Sequence, residues 1–141
     1  MKANGFLPYM IKDNKIYFLL GKEESGLYSD FGGLKNTGES DFENAVREFN
    51  EETMDIFKDI KPTKITKFTN NNYNCYLTKL DNSYQDRITA YNNFRQKIYN
   101  YKAKNGLLEK QHIQWFKPNQ IINNKSQMRP TFYDTFIKLS K

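Results

Sequence analysis

At 141 residues, with 38% hydrophobic and 16% aromatic side chains, the chain can bury a sizeable core as one compact domain, which argues against a disordered polypeptide. Cys75 and His112 are the sole cysteine and histidine, so an internal disulfide is excluded and neither a Cys/His zinc centre nor a Cys-His nucleophile is supported. The formal net charge of +6 favours an anionic partner such as a nucleotide or RNA, an argument about attraction rather than chemistry.

The apolar run Phe6 to Ile11 is too short for a signal peptide or a membrane span, so the sequence predicts a soluble cytoplasmic protein with no membrane partner. FLPYMI and KIYFLLG flank the turn-forming KDNK and read as a hairpin, with Ile16, Phe18 and Leu20 on one face. A polar loop leads to Phe31, Gly32 and Gly33. Thr37 or Ser40 then offers a helix N-cap, and Glu43 completes a capping box with Ser40, so a helix should begin near Asp41. Phe42, Ala45, Val46, Phe49 and Thr53 follow the spacing of a buried stripe on that helix.

KITKFT and YNCYLTKL read as strands separated by an Asn-rich turn, and IQWF as a further short strand. Between them, Tyr84 to Lys104 reads as a basic amphipathic helix, with Ile88, Tyr91, Phe94 or Arg95, Ile98 and Tyr101 on its apolar side. Pro130 suits the first turn of a last helix that carries Phe132, Phe136 and Leu139. No repeat or low-complexity linker divides the chain. Strands and helices in mixed order predict an α/β (α+β) layered domain with a mixed sheet, spanning 1–141 as one unit.

Glu48, Glu51 and Glu52 stand at i, i+3 and i+4, which on a helix brings their Cβ atoms to about 5–6 Å and aims them at one patch. Lysine and arginine are missing from the four positions after each of them until Lys58, so the repulsion calls for a cation from elsewhere. A hard divalent ion with oxygen ligands and substrate phosphates in its shell would supply it. The competing reading, a solvated acidic face, suits Asp41 and Glu43, which complement the positive end of the helix dipole. Glu39 and Arg47 can pair if the preceding loop folds back over the helix, and Gly32, Gly33 and Gly38 open backbone conformations closed to other residues.

Gly33, five residues, Glu39, seven residues, then Arg47-Glu48-Phe49-Asn50-Glu51-Glu52 resembles the Nudix box, a signature of 23 residues covering about a sixth of the chain. The resemblance implies an α/β/α sandwich with a loop-helix-loop catalytic motif and hydrolysis of a diphosphate linkage in a nucleoside diphosphate derivative. It implies Mg²⁺ or Mn²⁺ held by Glu48, Glu51, Glu52 and the carbonyl of Gly32 or Gly33, with Glu39 and Arg47 as a structural ion pair. Met54 and Asp55 stand where the family has a glycine and, next to it, an aliphatic residue. A left-handed Met would cost about 1–2 kcal/mol, so a different helix end is expected, with Ile56 or Phe57 supplying the apolar contact.

Outside the box, Glu109, six residues before Trp115, is the candidate base, with an exposed loop glutamate as the competing reading. Lys22 could reach a phosphate but reads better as a surface lysine. Tyr17 or Tyr28 could stack a base, whereas Phe18 and Phe31 are better core residues. Substrates within reach of this reading are nucleotides and capped mRNA (decapping). The alternative is a catalytically weak nucleotide- or RNA-binding module of the same fold. Enrichment in Asn, Lys, Ile and Tyr resembles coding in an AT-rich genome, which brings in a viral source and the host cytoplasm.

Overall fold

The computed structural model describes residues 2–81, 84–98 and 109–141. Strands β1 (Ala3–Lys12) and β2 (Lys15–Glu23) form the expected hairpin, closed by Asp13 and Asn14 at φ 53° and 61°. Positive φ at both turn positions matches the twist of a two-residue hairpin, and Asp and Asn tolerate it better than most side chains. β1 is the central strand. Its second half pairs with β2, its first half pairs antiparallel with β4 (Phe31–Leu34), and most of its length runs parallel to β6 (Tyr73–Lys79). β5 (Thr63–Asn70) extends the sheet beyond β6, while β3 (Tyr28–Ser29) and β7 (Lys110–Phe116) both pair with β2. The sheet is therefore mixed.

Alternation along the strands splits the apolar residues between two cores. Phe6, Leu19, Phe31 and Ile113 face one side, where they meet helix α1 (Asp41–Glu52) through Phe49 and helix α2 (Gln85–Lys97) through Ile88 and Tyr91. Leu7, Phe18, Leu20 and Phe116 face the other, covered by α3 (Pro118–Ile122) and α4 (Pro130–Leu139) through Ile121, Phe132 and Phe136. Helices on both faces of one mixed sheet make an α/β/α sandwich. Among the described residues no helix is long and apolar enough to cross a membrane.

β3, β4 and α3 are elements the sequence reading left as loop. Two- and four-residue strands are too short to show a period, and Gly32 and Gly33 lower strand propensity where long-range pairing with β1 overrides it. In α2 the buried residue is Arg95, while Phe94 is 46% exposed. Backbone carbonyls select the guanidinium, since Nε donates to Lys110 O at 3.0 Å and Nη1 to Ile98 O at 3.2 Å. The part of that helix expected beyond Ile98, with Tyr101, Lys102 and Lys104, lies outside the described residues.

Three devices fix α1 against the sheet. The Ser40 capping box closes its N-terminus. Phe49 stacks between Phe6 and Phe57, with ring centroids at 4.7 and 5.3 Å, and meets Phe31 edge-on at 5.1 Å. A chain of buried amides runs from Asn74 to Asn4 to Asn44, whose Nδ2 reaches Leu34 O, and so ties β6, β1, α1 and β4 together.

The helix ends with Met54 and Asp55 at φ 54° and 59°, and Asp55 N–H donates to Asn50 O at 2.8 Å. The left-handed terminus is thus formed without glycine, contrary to the expectation of a different ending, and Phe57 supplies the buried apolar contact. Asp55→Gly, at an exposed position, is expected to raise stability by about 1 kcal/mol, read as a higher midpoint in urea. An unchanged or lower midpoint would mean that the Asp side chain compensates the left-handed backbone.

Candidate active site around the end of helix α1

The stripe of α1 that faces the sheet is partly polar. Beside Ala45 and Phe49 it buries Asn44, Glu48 and Glu52, the last at 1% exposure. Gly33 lies on the α1 side of β4, and a Cβ there would collide with the Glu48 carboxylate, so glycine is what lets that carboxylate lie against the strand. Gly32 points the other way. There a Cβ would meet the Tyr73 hydroxyl and the backbone of β1, and that hydroxyl donates to the buried carboxylate of Asp30 at 2.5 Å.

Arg47 gathers the acidic groups on the outer flank. Its Nε and Nη2 form a fork onto Glu39 at 2.7 and 3.0 Å, and Nη2 also reaches Leu34 O at 3.0 Å. Nη1 lies 3.2 Å from Glu51 and 3.3 Å from Glu48. The cation missing from positions after the glutamates is supplied from the position before Glu48. Glu51 is turned toward it and remains half-buried, while Glu48 and Glu52 face inward, so among the described residues no three acidic, His or Cys side chains enclose an ion as they stand.

Glu52 is where charge is least compensated. Its Oε1 lies 3.8 Å from the ammonium of Lys110, itself buried, and its Oε2 is buried without a hydrogen-bond partner. Burial pushes the Glu52 carboxyl well up, Lys110 opposes this, and the charges of Glu48 and Glu109 add to the rise. Burial also raises Glu48, against a lowering hydrogen bond to Glu52 and the charge of Arg47. Glu109, exposed just before β7, raises both. Arg47 thus serves Glu39, Glu48 and Glu51, while the charge of Lys110 is divided between Glu52 and the buried carboxylate of Asp30. An orphaned buried carboxylate oxygen beside a second, repelling carboxylate fits a hard divalent cation.

Linkage gives this a measurable sign. A carboxyl raised by folding contributes stability that is complete below its unfolded value, 4.5 for Glu48 and Glu52, and lost as pH climbs through the folded value. Glu39, lowered chiefly by its hydrogen bond from Arg47, acts oppositely, and its contribution is lost only below 4.5. In EDTA these two carboxyls should therefore lower the melting temperature progressively as pH rises above 4.5, and saturating Mg²⁺ should flatten the fall. A melting temperature that rises over this range in EDTA would contradict the burial of uncompensated carboxyls.

Sequence reasoning missed Lys110 and Tyr91. Tyr91 Oη lies 2.9 Å from Glu52 O and 2.6 Å from Lys110 O, bridging the end of α1 to the start of β7 beside Glu109. Lys22 is half-buried on β2 and pairs in register with His112, and Tyr28 hydrogen-bonds Gln114 at 3.1 Å. Tyr17 is half-buried, with the Lys117 ammonium 6.0 Å from its ring.

An α/β/α sandwich that places a loop-helix-loop acidic motif against a glycine of its central sheet defines the class. The fold is that of the Nudix hydrolases. The chain is similar over 99% of its length to 96% of a Caenorhabditis elegans Ap4A hydrolase solved as a binary complex (TM-score 0.62, 18% identity). All of it is likewise similar to 88% of the NUDIX domain of Shewanella oneidensis NrtR, solved with ADP-ribose (TM-score 0.57, 14% identity). In sequence it is 39% identical over 64 residues to an uncharacterized protein of Acanthamoeba polyphaga mimivirus, a match to 40% of this chain and only 20% of that protein. No protein-family model matches the chain.

Proposed function

We propose that residues 1–141 form a single hydrolase domain that cleaves the diphosphate linkage of a nucleoside diphosphate derivative with the help of Mg²⁺ or Mn²⁺. The observation that carries this reading is the buried pair Glu48 and Glu52 at the end of α1, with one carboxylate oxygen unpartnered and Gly33 making room beside them. Glu48 and Glu52, with Glu51 and the carbonyl of Gly32 or Gly33, would hold the ion. Once bound, the ion neutralises phosphate charge and acidifies the attacking water.

The chain's own residues account for the remaining work. Glu109, next in chain to buried Lys110 and carrying charge felt by both inner glutamates, takes the proton from the attacking water. The new P–O bond forms from that water as the bridging P–O bond breaks, and the bridging oxygen leaves on the departing phosphate. Arg47 holds the loop of residues 35–40 onto α1 through Glu39 and Leu34, which maintains the approach of Glu48 to Gly33.

Ap4A and ADP-ribose, bound or cleaved by the similar proteins, and the net charge of +6 support nucleotides and capped RNA as substrates. Similarity to a mimivirus protein supports a viral source, and with it the host cytoplasm as the place of action. The deciding experiment is mass spectrometry of products from a panel of nucleotides and capped RNA in H₂¹⁸O, with and without EDTA. Two phosphorylated products with one ¹⁸O between them, formed only with metal, are expected. Binding that persists in EDTA without product would make the chain a nucleotide-binding module.

A further inference from the structure

Lys110 is a charged side chain with 1% exposure, placed where strict strand alternation would not put it. In the β2–β7 register Lys22 pairs with His112 and Glu23 with Lys110, so Gln111 is skipped. An extra residue re-aims what precedes it, and Lys110 comes to lie on the α1 side, with its ammonium 5.6 Å from the Phe31 ring. Gly21 clears its path, because a Cβ there would stand 2.6 Å from Lys110 Cδ and 2.8 Å from Cγ. The ammonium donates to Ser29 Oγ at 2.6 Å and lies 3.5 Å from Gly21 O, while Glu52 Oε1 is further away, at 3.8 Å.

This is a poor arrangement for a purely structural ion pair. A buried pair stabilises only when both partners are closely hydrogen-bonded, and here Glu52 Oε2 has no partner while the ammonium is drawn toward Ser29. It is a good arrangement for a fixed positive charge on one side of a carboxylate whose other oxygen has no hydrogen-bond partner.

We infer that Lys110 is a resident counter-cation of the acidic centre, antagonistic to the divalent ion, whose strength is set by the Ser29 hydroxyl. The inference rests on the metal-dependent reading above. Lys110 compensates Glu52 while the ion is absent and repels the ion once it binds, so charge on Lys110 and occupancy of the metal site oppose each other. Such opposition is reciprocal: removing either cation strengthens the hold of the centre on the other.

The test is titration calorimetry of MnCl₂ into the full chain after EDTA dialysis, at one fixed pH, with melting temperatures taken with and without Mn²⁺. Lys110→Met should tighten Mn²⁺ binding about tenfold and enlarge the metal-induced rise in melting temperature. Ser29→Ala should act in the opposite sense, because an ammonium without its hydroxyl acceptor leans on Glu52 and weakens Mn²⁺ binding several-fold. A merely structural lysine predicts weaker binding in both variants. That outcome, or unchanged affinity in both, overturns the inference. Should Lys110→Met fail to fold, Lys110→Gln, whose neutral head can still donate to Ser29 Oγ, is titrated in its place: tighter binding sustains the inference, and unchanged or weaker binding overturns it. Wild-type binding that Glu52→Gln abolishes is the separate check on the metal site itself. Its absence would remove the functional reading, whereas its presence without the opposed shifts removes only the role of Lys110.

Discussion

Glu52→Gln is expected to lower turnover by about 10³-fold or more, equivalent to about 4 kcal/mol of transition-state stabilisation, while the melting temperature in EDTA stays at or above that of the wild type. The two halves of this expectation have one cause. At 1% exposure, with Oε2 unpartnered and the charge of Glu48 beside it, ionised Glu52 is costly to the metal-free fold. A neutral amide of the same shape removes that cost, and with it the charge a divalent ion needs. Lys110 keeps Ser29 Oγ as acceptor, so the substitution does not leave its ammonium bare. Turnover measured alongside thermal melts separates the outcomes. Activity near wild type would remove Glu52 from the site, and a large drop in melting temperature would recast it as a structural partner of Lys110.

The sequence made α1 and its N-terminal cap legible because the signals there are local. Ser40 with Glu43 is a contiguous motif, and Phe49 and Ala45 stand at helical spacing. Element order predicted a layered α/β domain with a mixed sheet, the resemblance implied the sandwich, and the glutamate spacing drew attention to the acidic centre. What stayed hidden depends on residues far apart in the chain. Lys110 reaches Glu52 only because Gln111 is skipped in the register and Gly21, 89 positions away, has no side chain. The sequence left Phe94 and Arg95 as alternatives for the apolar side of α2, and hydrogen bonds such as those to the carbonyls of Lys110 and Ile98 make Arg95 the buried one. The left-handed end at Met54 and Asp55 shows the opposite case. Local propensity argued against it, and the bond from Asp55 N–H to Asn50 O together with burial of Phe57 prevailed.

Arg47→Met is expected to cost about 3 kcal/mol of folding stability, measured by urea unfolding, and Arg47→Lys to recover less than half of it. An exposed ion pair would not carry such a figure, but this guanidinium is about three-quarters buried and serves four acceptors at once: Glu39, Glu48, Glu51 and Leu34 O. Its removal takes the fork from Glu39, whose side chain is 14% exposed and keeps the Asn36 N–H, and leaves Glu48 and Glu51 without their shared cation. Lysine restores a charge but has no planar fork to span both oxygens of Glu39 while reaching Glu51 on its other edge. A double-mutant cycle with Glu39→Gln isolates the fork, and a coupling near zero would place the stability of α1 in its cap and Phe49 instead. Because neutralising Glu48 relieves the same repulsion, Glu48→Gln should restore part of the stability lost in Arg47→Met. A divalent ion should do likewise, which ties the outer cation to the chemistry proposed for the inner pair.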